Sequence, residues 1–386
     1  MNKYWNLLLC SFLLVFTAAC SGNSDDEPEG ETGELTLISS ATYIENNGTD
    51  QAVFTVLKGK KDVTAEAKIY QKKGSSFELL PSASFSSKTQ GDYSFFASYN
   101  NEKSPAVVVV VTSGMLDLPD DPQPSKFEGF KHRLLAVQGT SLGCTYCPLM
   151  IAGLTEYAKL EESKSTVLVA AHCIMEGDDM ISAYSTAVAR SMNFHTIGVP
   201  IVLFNMRSVS ERVELKTGDT PSSVATRIQS TAQTLLKAEA NTGISAAVSG
   251  TEASGSIKVT AAVKVGKTGK YRISAWVVED DIYATGQLNS YPALEANYDF
   301  THHSNVLRCI SSSDPVSGVN LGGKAECQAG ETLKFSYEFN LKDMEVANLA
   351  KARVVFIVTQ NESGSRYTVD NAVSCGLNSQ VKFEYK

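Results

Sequence analysis

Cys144 and Cys147 stand in the stretch Gly-Cys-Thr-Tyr-Cys-Pro (143–148), two thiols separated by two residues with Pro148 directly after them. Three chemistries suit that spacing. A redox pair needs one cysteine at a helix start, where unpaired backbone N–H groups and the helix dipole stabilise the attacking thiolate. The second cysteine, one turn on, then resolves the mixed disulfide. A zinc site needs four ligands. Only one C-x-x-C unit is present, and Cys173 with His172 could complete the set. A structural staple needs nothing further. His195 reads as a hydrogen-bonded structural histidine and His302-His303 as solvated loop residues, so the reading carries no metal and no cofactor.

The compartment follows from the N-terminus. Lys3 precedes a short apolar run, "LLLCSFLLVF" (7–16), and Thr-Ala-Ala then leads to Cys20. The run is too short for a permanent membrane span and reads as a secretory signal over 1–19. A cysteine at the cleavage point resembles a bacterial lipobox, which implies that Cys20 is lipidated. The tether over 20–33 is acidic and has no basic residue, so it cannot collapse. Serine after Cys20 and the Ser-Asp-Asp-Glu cluster resemble outer-membrane sorting and surface-export signals. The expected location is therefore the outer membrane, held by the lipid and exposed at the cell surface. The chain carries 34 basic and 42 acidic residues, net charge −8, with the basic ones scattered. That argues against nucleic acid as a partner. An oxidising envelope permits disulfides.

Elements that could position the pair emerge from periodicity. Residues 34–112 alternate and turn every ten residues or so, with tight turns at 46–49 and Asn100-Asn101. They resemble a small immunoglobulin-like β-sandwich. Residues 113–126, with three prolines and three aspartates, read as a linker. Residues 127–240 alternate strands (132–139, 165–172, 199–206) with helices (from Pro148, 180–192, 221–240), an α/β unit. Proline is tolerated in a first helical turn, where its missing N–H costs nothing. Residues 241–386 return to long alternating runs and read as an antiparallel β-sandwich. The expected fold class is thus multidomain α/β plus all-β.

A strand, then C-x-x-C, then a helix resembles the thioredoxin arrangement. The resemblance implies that Pro200, in "GVPIVLF" (198–204), is cis and faces the cysteine pair. The chain departs from it at Leu142-Gly143, where tryptophan is usual, and at Thr145-Tyr146, where Gly-Pro is usual. These departures leave redox potential and activity open. The order of parts, with "GCTYCP", "VLVAAH", "GVPIVLFN", "HHSNVLR" (302–308) and "VDNAVSCGLNSQVKFEY" (369–385), resembles the outer-membrane-protein-28-related lipoproteins over 127–386. That family implies a surface antigen or adhesin-type protein with an unidentified protein or glycan ligand. The rival reading is an envelope thiol–disulfide oxidoreductase with Cys144 as nucleophile, Cys147 as resolving cysteine and Pro200 shaping the groove. In the last segment Cys309, Cys327 and Cys375 are structural-disulfide candidates. Cys309 with Cys375 is the first choice, because their flanking patterns could place both on one face of neighbouring strands.

Overall fold

A computed structural model describes residues 33–386 apart from 42, 175–176, 207–210, 313 and 315. The expected leader, nearly all of the expected tether and Cys20, the expected site of lipidation, lie outside the described residues.

The first β unit is built from β1 (Leu35–Ser39), β2 (Tyr43–Glu45), β3 (Ala52–Lys58), β4 (Lys68–Lys73), β5 (Ser76–Leu79), β6 (Gly91–Tyr99) and β7 (Val107–Thr112), with shorter strands between. β1 pairs with β3 in one sheet, and the second runs β2-β7-β6-β4-β5. Alternating side chains bury Leu35, Phe54, Val56, Phe95 and Val109 between them. Both expected turns form. Asn100 and Asn101 take left-handed φ values of 47° and 64°, the geometry a two-residue hairpin demands. The Asn47 side chain accepts from the Thr49 and Asp50 N–H groups at 2.8 and 2.7 Å.

Residues 113–126 form no strand or helix, yet they do not hang free. The Leu116 N–H donates to Thr260 Oγ1 at 2.9 Å, and the Gln380 side chain donates to the Asp117 carbonyl at 2.7 Å. Lys264, only 1% exposed, donates to Asp121 (2.6 Å) and to the carbonyls of Gln123 and Pro124. The expected linker is a stitched seam.

Beyond it come β8 (Leu134–Thr140), α1 (Cys147–Tyr157), β9 (Thr166–His172), α2 (Ala183–Ser191), α3 (Phe194–Ile197), β10 (Ile201–Phe204), β11 (Arg212–Glu214) and α4 (Pro221–Leu235). Helix starts follow local chemistry. Pro148 lies in the first turn of α1, and capping boxes at Ser182/Ser185 and Thr220/Ser223 open α2 and α4. Gly153 lets α1 settle directly on Val224 of α4, where any Cβ would collide.

The remaining strands are β12 (Thr242–Thr251), β13 (Ser256–Val265), β14 (Tyr271–Glu279), β15 (Val306–Ile310), β16 (Thr332–Asn340), β17 (Ala352–Ser363), β18 (Arg366–Gly376) and β19 (Ser379–Val381). One sheet runs β16-β13-β12-β19. The other does not stop at residue 240. It runs β11-β10-β8-β9-β15-β14-β17-β18, with Val319–Asn320 added to β14. The expected boundary at 240/241 is therefore bridged. The terminal sandwich shares its second sheet with the α/β unit. The joint is the parallel pairing of β9 with β15 at Ala170 and Val306, where the Ala170 N–H donates to the Asn305 carbonyl at 2.6 Å. Arg353 braces it, donating to Leu168 O (3.1 Å), Asn305 Oδ1 (2.7 Å), Asp280 (3.0 Å) and Ser374 Oγ (3.0 Å).

The same sheet order corrects the expected disulfide. Cys309, Cys327 and Cys375 are all free and buried. Cys309 and Cys375 share one face and even one row, but Val277 and Val354 stand between them on β14 and β17. Three inter-strand steps place them roughly 14 Å apart, twice the Cα separation of about 7 Å at which a bridge fails. Cys327 sits in a loop bridged to Gly269 and packs into the sandwich core. Burial pushes the Cys327 and Cys375 thiols up to about 11.

Arg353→Met should lower stability by about 2–4 kcal/mol, through lost charge-assisted bonds and an Asp280 left without its partner. Denaturation followed by the buried Trp276 and by far-ultraviolet circular dichroism should shift as one transition. Two separated transitions would show that the shared sheet does not couple the halves.

Candidate functional site

Cys144 and Cys147 are joined in a disulfide with Cα atoms 5.4 Å apart. The helix begins at Cys147, with Tyr146 as N-cap. Cys144 therefore lies in the turn before the helix, its N–H bonded to Ser141 O (3.1 Å) and its carbonyl accepting from Cys147 N–H (3.2 Å). Cys144 is 2% exposed and Cys147 0%. This corrects the expectation that Cys144 sits at an exposed helix start.

The cover is a long connection between β14 and β15. Its base is a two-rung ladder of Ile282–Tyr283 with His302–His303. Between these rungs the chain crosses the cysteine turn as a strap. The Leu288 N–H donates to Leu142 O and the Ser290 N–H to Thr145 O, both at 2.8 Å. The Gln287 side-chain amide donates to the Leu142 and Cys144 carbonyls at 3.1 Å. Tyr291 of the strap packs edge-on against Tyr146, which remains 56% exposed. The turn is open at Tyr146. Tyr146, Val199, Pro200, Lys216 and Tyr291 border a cleft of about 670 Å³ there. The Val199–Pro200 bond is cis, and the structure brings Pro200 and the residue between the cysteines to one cleft.

The groups weighed as zinc ligands are engaged elsewhere. His172 Nδ1 bonds Asp178 Oδ2 at 2.8 Å, with both side chains buried. Cys173 is a buried thiol that desolvation pushes up to about 12. Among the described residues no group of three or more His, Cys, Asp and Glu side chains is placed to hold a metal ion. His195, on α3, is exposed rather than structural. His303, expected in a solvated loop, is 6% exposed in the strap base.

Asp178 and the strap were not singled out in the sequence. Asp178 accepts from the Leu142 N–H (2.8 Å), the Met180 N–H (3.0 Å) and His172, fixing the start of the cysteine turn to β9. Burial by itself would raise its pKa. The His172 ring and the two backbone donors outweigh burial and hold the carboxyl at about 2. A local signal existed for the strap: Gly286, Asn289 and Pro292 break periodicity over a stretch too long for an ordinary loop. Nothing local named its target.

Because the Asp178 pKa is lower folded than unfolded, its contribution is complete above about pH 4 and is lost as pH falls towards 2. Its size is on the order of 2 kcal/mol. Asp178→Asn should remove most of that pH dependence and lower stability at neutral pH. Urea titrations at pH 7, 4 and 2.5 measure it, and an unchanged acid slope would show that Asp178 is not the responsible group.

The family model described as outer membrane protein Omp28 matches residues 188–380, half of the chain. No curated protein matches. Among solved structures, HBP35 of Porphyromonas gingivalis is 16% identical, over 65% of this chain and 76% of its own, with a TM-score of 0.49. A domain of the outer membrane lipoprotein Omp28 from Porphyromonas gingivalis is 17% identical, over 36% of this chain and 89% of its own, with a TM-score of 0.23. On the match that runs from α2 to β19, this protein belongs to the Omp28 outer membrane protein family.

Proposed function

We propose that this chain is a lipid-anchored outer-membrane protein, displayed at the cell surface, that binds a protein or glycan partner. In this reading Cys20 carries the lipid, 34–112 is an immunoglobulin-like module, 127–240 is a thioredoxin-like unit and 241–386 is a β-sandwich fused to it. The sheet order β11-β10-β8-β9, with α1 after the first strand and a cis proline before β10, supports the thioredoxin-like assignment. The Cys144–Cys147 disulfide acts as a staple. The observation that carries this is burial: Cys144 and Cys147 are both buried, and the strap is bonded to the carbonyls of Leu142, Cys144 and Thr145, which supports a pair closed to a partner disulfide.

A second reading has one observation in its favour. The cleft beside the pair, bordered by Tyr146, Pro200 and Tyr291, is open. An oxidoreductase would use Cys144 as nucleophile and Cys147 as resolving cysteine once the strap lifts.

The two readings separate in alkylation of the reduced protein across pH, comparing Cys144→Ser with Cys147→Ser. A staple gives slow, equal labelling and a reduction potential below about −300 mV. Preferential labelling of Cys144 near neutral pH overturns the staple and establishes the oxidoreductase. For the anchor, Cys20→Ser should release the protein from outer membranes, and persistence of the variant there in a detergent-sensitive form refutes lipidation at Cys20.

A further inference from the structure

Between α1 and the strands β8 and β9 lies a cavity that shares no lining residue with the cysteine cleft. Gln138 and Thr140 alternate onto one face of β8 and stand beside Ala170 and His172 of β9 in parallel register. Ala170 is too small to fill the space that its neighbours leave. The result is a pocket of about 290 Å³, walled by Ile151, Leu154 and Leu168 and closed on one side by His303 from the strap base. Gln138 is 5% exposed, Thr140 2% and His303 6%. Gln138 Nε2, Thr140 Oγ1 and His303 Nε2 nevertheless have no hydrogen-bond partner within the protein. A buried polar atom left without a partner is destabilising, and three line one pocket.

A second cavity of about 450 Å³ adjoins it. Leu154, Ala158, Leu168 and Asn305 line both. Its further lining includes Tyr157, Ile228 and Val373, with Arg133 and Arg353 at the rim. Together they form a trough with a polar end and an apolar body. The cations along it are already paired, and the carboxylate at its mouth has a hydrogen-bond partner. Arg133 pairs with Glu384, Arg353 with Asp280, Lys164 with Glu161, and Asp299 with His302 at the mouth. Burial, with the His172 ring alongside, holds the His303 ring below the ordinary histidine value. Behind the polar end Asp178 is ionised, which disfavours an anion.

We infer that this trough is a binding site for an uncharged amphiphile, a molecule with a hydroxyl or carbonyl end and an alkyl body. The oxygen end takes Gln138, Thr140 and His303, and the alkyl body lies along Leu154 and Leu168 towards Tyr157 and Ile228. Gln138 donates its amide N–H and Thr140 both donates and accepts, so one hydroxyl satisfies both at once. This site does not depend on the state of the cysteine pair or on the reading of its function.

The test is calorimetric titration of full-length protein carrying Cys20→Ser with 1-octanol, and with octanoate and octyltrimethylammonium as charged counterparts of equal chain length. Saturable one-to-one binding of 1-octanol is expected, weaker by about tenfold or more for both charged probes. Thr140→Val keeps the side-chain shape and should weaken 1-octanol binding about tenfold, the value of one buried hydrogen bond. Gln138→Leu should do the same. If Gln138→Leu does not fold, Thr140→Val decides. Absence of saturable binding, tighter binding of either charged probe, or unchanged affinity in Thr140→Val overturns the inference. So does a soaked crystal in which the trough holds ordered water only.

Discussion

A short parallel contact between β9 and β15 holds the two larger parts of this protein together. It amounts to a single rung at Ala170 and Val306, reinforced by the guanidinium of Arg353 reaching both strands and the neighbouring Asp280 and Ser374. Parallel edges are rarely left open, because unpaired backbone groups invite other chains. Here the edge of the α/β unit is closed by a strand more than a hundred residues later in the chain. The shared sheet then has two buried faces. One packs against the sheet that contains β12 and β13, and the other carries the core of α2, β10 and Trp276. Cutting the protein at residue 240 would expose both the edge and a large apolar surface.

The same contact delivers the cover of the cysteine pair. β15 is the strand that follows the strap, and β14 precedes it, so the joint fixes both feet of the strap within reach of β8 and α1. Asp178 works from the opposite side, holding the Leu142 N–H and His172 and so setting the turn on which the strap lies. Two chain segments distant in sequence, the strap and the Asp178 loop, thus converge on the cysteine turn. Desolvation comes from the strap, orientation from Asp178, and helix entry from Pro148. The cis peptide before Pro200 borders the open cleft beside Tyr146.

What was legible in the sequence is local. Proline at the head of α1 and α4, the asparagine pair at 100–101 and the apolar strand runs at 132–139 and 165–172 each act over a few residues, and the structure follows them. The continuity of the sheet past residue 240 was not legible, because β9 and β15 are complementary only through backbone groups that every residue carries. The row containing Cys309 and Cys375 shows the same limit. Their matching flanks do place them on one face and in one register, but the number of strands between them is a property of topology. The strap failed to appear as a cover for a similar reason. Its bonds to the cysteine turn come from two backbone N–H groups and the Gln287 amide, all received by backbone carbonyls, and Gln287 has no distinguishing neighbours in the sequence. His303 was misread as solvated because its burial is imposed by a ladder with Ile282–Tyr283, a pairing with no pattern of its own.

Lys264 clamps the seam at 121–124, with its ammonium over the rings of Phe127 and Phe383 and its donors spent on Asp121 and two carbonyls. Tyr43 meets Phe335 edge-on, 5.6 Å away, and the Met115 N–H bonds Glu45 at 2.7 Å. The first β unit is consequently not a bead on a string. A pull applied at the N-terminal side cannot be absorbed by paying out slack between modules. It passes through the seam into β13 and β19, and so loads the terminal sandwich directly. In mechanical terms residues 113–126 are a weld between the first β unit and the terminal sandwich, with no free hinge in them.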